Sequence, residues 1–90
     1  MLGVAKKTID AIVADMNAGS GIHFADLVKV CDHYFGEARQ SGTSHCVYKM
    51  PWPGDPRVNI QNDKGKAKSY QVRQVLKAIA KVAELAAQKK

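Results

Sequence analysis

Gly36-Glu37-Ala38-Arg39-Gln40-Ser41-Gly42-Thr43-Ser44-His45-Cys46-Val47-Tyr48-Lys49-Met50 is the stretch in which the chain changes its period. Before Gly36 apolar residues recur about every 3.6 positions; after it they fall closer to every second position, in short segments parted by turn residues, which is the pattern of strands. The spacing predicts strands over 37–41, 45–50 and 57–61. Gly42-Thr43-Ser44 joins the first two, and Pro51-Trp52-Pro53-Gly54-Asp55-Pro56 joins the second to the third. Proline has no N–H to give a ladder, so the second connection cannot continue the sheet.

Upstream, Ala5, Ile9, Ile12, Val13 and Met16 fall on one face of a helix predicted over 4–17, which Ala18-Gly19-Ser20-Gly21 ends. A second helix is predicted over 24–35, with Phe24, Leu27, Val28, Cys31, Tyr34 and Phe35 on its apolar side. His23 is its cap, Asp26 sits near the positive end of its dipole, and Ile22 can staple onto Leu27. Downstream, the polar run Asn62-Asp63-Lys64-Gly65-Lys66-Ala67-Lys68 reads as a basic linker. It leads to a third helix over 69–87, capped by Ser69, in which Val72, Val75, Leu76, Ile79, Val82, Ala83 and Ala86 recur at helical spacing. The expected fold is therefore α+β: order α-α-β-β-β-α, a three-stranded antiparallel sheet with helices on one face and the other face open. The first helix is expected to complete the core, because its apolar face needs cover.

Ninety residues suffice for one domain with a single core and leave no room for separate cofactor and substrate halves. A hydrophobic content of 46% marks a folding chain. No run approaches the roughly 18 apolar residues of a membrane span, and no leader pattern opens the sequence, so a cytoplasmic location is expected. Cys31 and Cys46 lack metal-ligand spacing and are expected to be free thiols, with no metal or other cofactor. The net charge of +6 is uneven: residues 1–35 hold three lysines against four aspartates, net −1, whereas residues 36–90 hold eleven basic against four acidic residues, net +7. Such a field attracts nucleic acid through release of counterions, and attracts an acidic protein equally.

Cleaving RNA without a metal requires a group that takes a proton from a ribose 2′-hydroxyl near neutral pH, and histidine is the side chain suited to it. His33 falls on the polar side of the second helix and His23 at its start. His45 follows a turn and opens a strand, where it is exposed and oriented by the sheet; read from the residues alone, it is an ordinary strand-end histidine, and spacing alone does not make it catalytic. Lys49 lies on the same strand face as His45 and Val47, either beside a reacting phosphate or as a plain exposed lysine. Lys64, Lys66 and Lys68 precede the third helix as a candidate phosphate clamp. Arg73, Lys77 and Lys81 form a stripe read as solvated. Trp52 either stacks on an exposed base or packs against the sheet or a partner.

Gly42-Thr43-Ser44-His45-Cys46-Val47-Tyr48 resembles the Gly-Ser-His strand signature of the HicA toxins of bacterial toxin–antitoxin pairs, and Gly36 to Gln40 and Val58-Asn59-Ile60 to Leu76 follow in the matching order. The similarity covers about residues 24–79. The chain then divides into an additional N-terminal helix (1–21), a HicA-like core (22–80) and a helix extension with a basic tail (81–90). The resemblance implies a fold related to the double-stranded-RNA-binding domain and an mRNA-cleaving endoribonuclease (mRNA interferase) with His45 as catalytic residue. It also implies silencing by a HicB-like antitoxin; the RNA contacts expected beside His45, read from the residues themselves, are Lys49, Trp52, Lys64, Lys66 and Lys68. Asn59-Ile60-Gln61-Asn62 departs from the pattern, since many relatives carry a second histidine there. The alternative from another class is a non-catalytic RNA-binding module in which His45 is structural.

Overall fold

The computed structural model describes residues 8–38, 40–41, 45–50, 52–54 and 56–88. Helix α1 runs Ile9–Ala18 and begins where Thr8 turns its hydroxyl oxygen to accept the N–H of Ala11 at 3.1 Å. The expected start at Val4 and the apolar Ala5 lie outside the described residues. Gly19 ends the helix with φ of 79°, a left-handed conformation that glycine adopts without steric cost. Helix α2 runs Phe24–Phe35, with His23 at its cap position; the imidazole makes no capping bond, and Asp26 sits in the first turn. Leu27 and Cys31 are buried as their spacing requires, and so is Val30, outside the expected stripe. The stripe widens because α2 is a middle layer, packed against α1 on one side and against the sheet on the other.

The sheet is antiparallel in the order β1 (Gln40–Ser41), β2 (His45–Lys49), β3 (Arg57–Asp63), β4 (Lys66–Ala67). Its three principal strands give the α+β order α-α-β-β-β-α, closed by α3 (Ser69–Gln88). Two boundaries differ from the expected ones. Among the described residues of 37–41, Gln40 and Ser41 pair with β2, while Glu37 and Ala38, just past Gly36, are still returning the chain to the sheet. The stretch 62–68 is no linker: β3 extends to Asp63, turns at Lys64-Gly65 and comes back as β4. Both turn residues have positive φ, 54° and 87°, as a two-residue hairpin turn of the primed type demands. Glycine accepts this freely; for Lys64 it costs on the order of 1 kcal/mol.

β4 is covered on its outer side by the entry to α2. The Ala67 N–H donates to the Ile22 carbonyl at 2.8 Å and the Phe24 N–H to the Gly65 carbonyl at 3.0 Å, so little bare backbone is left at that edge. In α3 the first helical N–H groups, of Gln71 and Val72, reach the carbonyl of Lys68, each at 3.0 Å. Lys68 rather than Ser69 therefore stands at the cap position. Val72, Val75 and Ala78 are buried, while Val82 is half-buried and Ala83 and Ala86 are exposed. The last turns of α3 thus carry an apolar pattern past the end of the body.

One core joins these elements: Ile12 and Met16 of α1, Leu27, Val30 and Cys31 of α2, Cys46 and Tyr48 of β2, Val58 and Ile60 of β3, and Val72 and Val75 of α3. α1 packs on α2 and α3, forming a layer beyond them as seen from the sheet. Two side-chain hydrogen bonds tie helices to strands. The Tyr48 hydroxyl donates to Asp32 Oδ1 at 2.8 Å, and the backbone N–H of Gln61 donates to Gln71 Oε1 at 2.7 Å. Gln71 is 3% exposed, the only buried polar side chain among the described residues. Replacing it by leucine keeps the bulk and strips the Gln61 N–H of its acceptor; we expect Gln71→Leu to lower unfolding free energy by about 1–3 kcal/mol, read by urea denaturation.

Candidate functional site

The β2–β3 register decides what shares the open face. His45 lies opposite Gln61, Val47 opposite Asn59 and Lys49 opposite Arg57. The Met50 N–H donates to the Pro56 carbonyl at 3.0 Å, so the hydrogen-bonded rungs are those of Met50, Tyr48 and Cys46. By alternation the rungs of Lys49, Val47 and His45 are the non-hydrogen-bonded ones, in which facing Cα atoms stand about 4.5 Å apart and side chains are closest. Cys46, Tyr48, Val58 and Ile60 point into the helix-side core. His45, Lys49, Arg57, Asn59 and Gln61 are exposed, around a central Val47 that is 7% exposed although it lies outside the main core.

His45 and Lys49 are thus on one face, as expected, about 13 Å apart at roughly 3.3 Å per residue. Three further groups join them that sequence reading did not single out. Arg57 faces Lys49, making a doubly cationic rung. Gln61 faces His45 with an amide that hydrogen-bonds but cannot exchange a proton at neutral pH. Asp63, next along the same face of β3, is diagonal to His45 and paired with Lys66. The alternation of Cys46, Tyr48 and Met50 and of Val58 and Ile60 tells which face each residue lies on, but a slip of two residues would keep the same faces, so the pairing itself follows from the tertiary structure.

Lys64 and Lys66 are exposed on the hairpin, and Lys68 is half-buried where it enters α3. With Asp63 and the exposed Tyr70 they line one shallow cleft at the sheet's outer edge. An isolated bridge sets His23 beside Lys66. It is three strands from His45, about 14 Å or more at strand spacing, too far to share a phosphate with it. His33 is exposed on α2 and meets the Tyr34 ring edge to face at 4.8 Å. Trp52 lies on the helix side of the β2–β3 connection, half-buried against the core, with Lys81 Nζ 5.7 Å from its ring centroid. The turn 42–44 before His45 lies outside the described residues.

Neither cysteine offers a reactive thiolate. Both are unbridged and buried, and burial, helped by the nearby Asp32 carboxylate, pushes the Cys31 thiol up to about 12. The Cys46 thiol is raised by the same causes in the same order. Burial also raises the Tyr48 phenol, reinforced by its hydrogen bond to Asp32. Among the described residues no group of three or more His, Cys, Asp or Glu side chains is arranged to hold a metal ion, and no helix is long and apolar enough to cross a membrane. Set against protein-family models, curated proteins and solved structures, the chain finds no match.

The raised Cys31 thiol has a consequence for alkaline stability. Above the ordinary thiol range the unfolded chain loses this proton while the folded chain keeps it to about 12, so unfolding is increasingly favoured as pH rises. The contribution is intact below about pH 8.5 and is lost at up to about 1.4 kcal/mol per pH unit above it. Cys31→Ala, less stable at neutral pH, is expected to lose stability less steeply than the parent between pH 9 and 11, as measured by urea unfolding at each pH.

Proposed function

We propose that this chain is a HicA-like toxin: an endoribonuclease that cleaves mRNA without a metal or other cofactor, in the cytoplasm, and is held inactive by a HicB-like antitoxin. The observation that carries the reading is an exposed histidine, His45, on the same uncovered sheet face as the cationic rung Lys49 and Arg57. Support also comes from the net +7 of residues 36–90 and from the Gly-Thr-Ser-His sequence at the start of β2.

In this mechanism the neutral imidazole of His45 takes the proton of a ribose 2′-hydroxyl. The 2′-oxygen attacks the adjacent phosphorus, the bond from phosphorus to the 5′-oxygen breaks, and the leaving 5′-oxygen takes up a proton. The products are a 2′,3′-cyclic phosphate and a 5′-hydroxyl. Gln61, across from His45, can hold the ribose or phosphate by its amide but cannot supply that proton, which comes from the imidazolium or from water. General acid–base help from one side chain is worth roughly 10²- to 10⁴-fold. Lys49 and Arg57, about 13 Å along the strand from His45, hold a neighbouring phosphate, and with backbone anchoring by Lys64, Lys66 and Lys68 they supply positioning of the strand at His45.

Induced expression of the parent chain in a bacterial host is expected to arrest growth and degrade mRNA, and His45→Ala at equal level to do neither while still binding RNA. Purified protein should leave cyclic-phosphate ends in the presence of chelator. Ends bearing a 5′-phosphate, or loss of cleavage on chelation, would overturn the mechanism; two harmless proteins that both bind RNA would leave a binding module. A second expectation concerns the hairpin. Changing Lys64, Lys66 and Lys68 together to glutamine should weaken RNA binding regardless of sequence and flatten its logarithmic salt dependence by up to about 0.7 per lysine lost, read by fluorescence anisotropy from low to moderate salt.

A further inference from the structure

We infer that the cavity beside Trp52 is a nucleobase pocket, in which a base of the RNA strand bound to the open sheet face stacks on the indole. The inference rests on the RNA-directed reading above and adds the place where a base is held.

The cavity measures about 310 Å³, the lower end of the range for small-molecule sites. It lies between the β2–β3 connection and the middle of α3. Its floor is apolar, with Met50 and Val58 from the sheet, and Trp52 forms a wall. Arg57, Lys77 and Lys81 stand at its margin together with the amide of Gln74. Apart from Arg57, these polar groups come from one exposed flank of α3, where Gln74, Lys77 and Lys81 recur at helical spacing. Two members of the stripe read as solvated, Lys77 and Lys81, therefore border a concave aromatic site; the third, Arg73, does not.

Three features favour a base over other occupants. The Lys81 ammonium 5.7 Å from the indole centroid is a flexible charged head, not a packed apolar side chain. A flat ligand can displace it without opening the core, and the displaced ammonium is then free to meet a phosphate. Arg57 belongs to two sites at once: it faces Lys49 on the open sheet face and borders the Trp52 cavity. A polyanionic strand crossing the Lys49 and Arg57 rung is thereby led to the pocket mouth, where Lys77 and Lys81 continue the cationic path. Gln74 brings both a donor and an acceptor to the rim, the combination a base edge takes.

Trp52 is the only tryptophan of the chain, so its emission reports on this pocket alone. The full chain carrying His45→Ala, which leaves RNA intact, is titrated with pentameric oligoribonucleotides of each base, an abasic ribose-phosphate pentamer and a glutamate-rich peptide. Trp52 emission and the anisotropy of the labelled probe are followed together. We expect at least one base-bearing pentamer to quench Trp52 saturably, and the abasic pentamer to bind about five- to a hundredfold more weakly without quenching. Gln74→Ala and Lys77→Glu, both at exposed positions that leave folding intact, should weaken that pentamer and reduce the quench. Pentamers that bind while Trp52 emission stays unchanged, or an abasic pentamer that binds equally well, overturn the pocket and leave the RNA-directed reading in place. Quenching by the peptide alone assigns the pocket to an acidic protein partner and overturns the inference. Pentamers that quench as expected while the parent chain fails to cleave RNA uphold the pocket and sink the nuclease reading, and no binding by any pentamer sinks both.

Discussion

The antiparallel pairing of β2 with β3, from His45 opposite Gln61 to Lys49 opposite Arg57, assigns every side chain of the central sheet to core or surface. Strand side chains alternate, so a slip of one residue would turn Tyr48 outward and carry His45 and Lys49 into an apolar interior, at a cost the small core cannot offset. Two contacts hold the register from outside the ladder and a third closes its end. The Tyr48–Asp32 hydrogen bond fixes β2 against α2, the Gln61–Gln71 bond fixes β3 against α3, and the Met50–Pro56 bond closes the end from which the proline-rich connection leaves. The position of the candidate catalytic group is thus a by-product of how the hydrophobic rungs are buried.

Layering separates charge as well as polarity. Helices α1 and α2 carry Asp10, Asp15, Asp26 and Asp32 against Lys29, with Asp10 and Asp15 on the layer farthest from the sheet. The positive balance is carried by the hairpin, the Lys49 and Arg57 rung and the exposed flank of α3. A molecule so polarised is oriented by a polyanion before contact, open sheet face first. α1 serves the same arrangement indirectly, because by covering α2 and α3 it lets both sink apolar side chains on two sides while the sheet keeps one face uncovered.

The hairpin at Lys64-Gly65 shows how a basic segment gains position. As a linker, Lys64, Lys66 and Lys68 would hold no geometry; as a primed turn bonded to the entry of α2, they stand at fixed places on the sheet's outer edge. Order of this kind lowers the entropy lost on binding a phosphate chain. The sequence hint was a glycine in the second position of a two-residue turn, masked by the surrounding lysines and by the absence of apolar alternation in the returning strand.

Hydrophobic period was enough to read α2 to the residue, α3 to within a residue at its end, the β2 and β3 starts, and the α+β order, since burying an apolar face is a local demand written into spacing. The same alternation put His45 and Lys49 on one face. Strand pairing was not legible in that way, and the site's remaining members, Arg57 opposite Lys49, Gln61 opposite His45 and Asp63 diagonal to it, follow from the β2–β3 register. Nor could spacing tell that Val30 would be buried by a second layer, that Gln71 would serve a sheet-edge N–H, or that Trp52 would meet Lys81 across a cavity. Each of these joins residues distant along the chain, and a contact of that kind exists only once several elements have packed together and left particular groups facing one another.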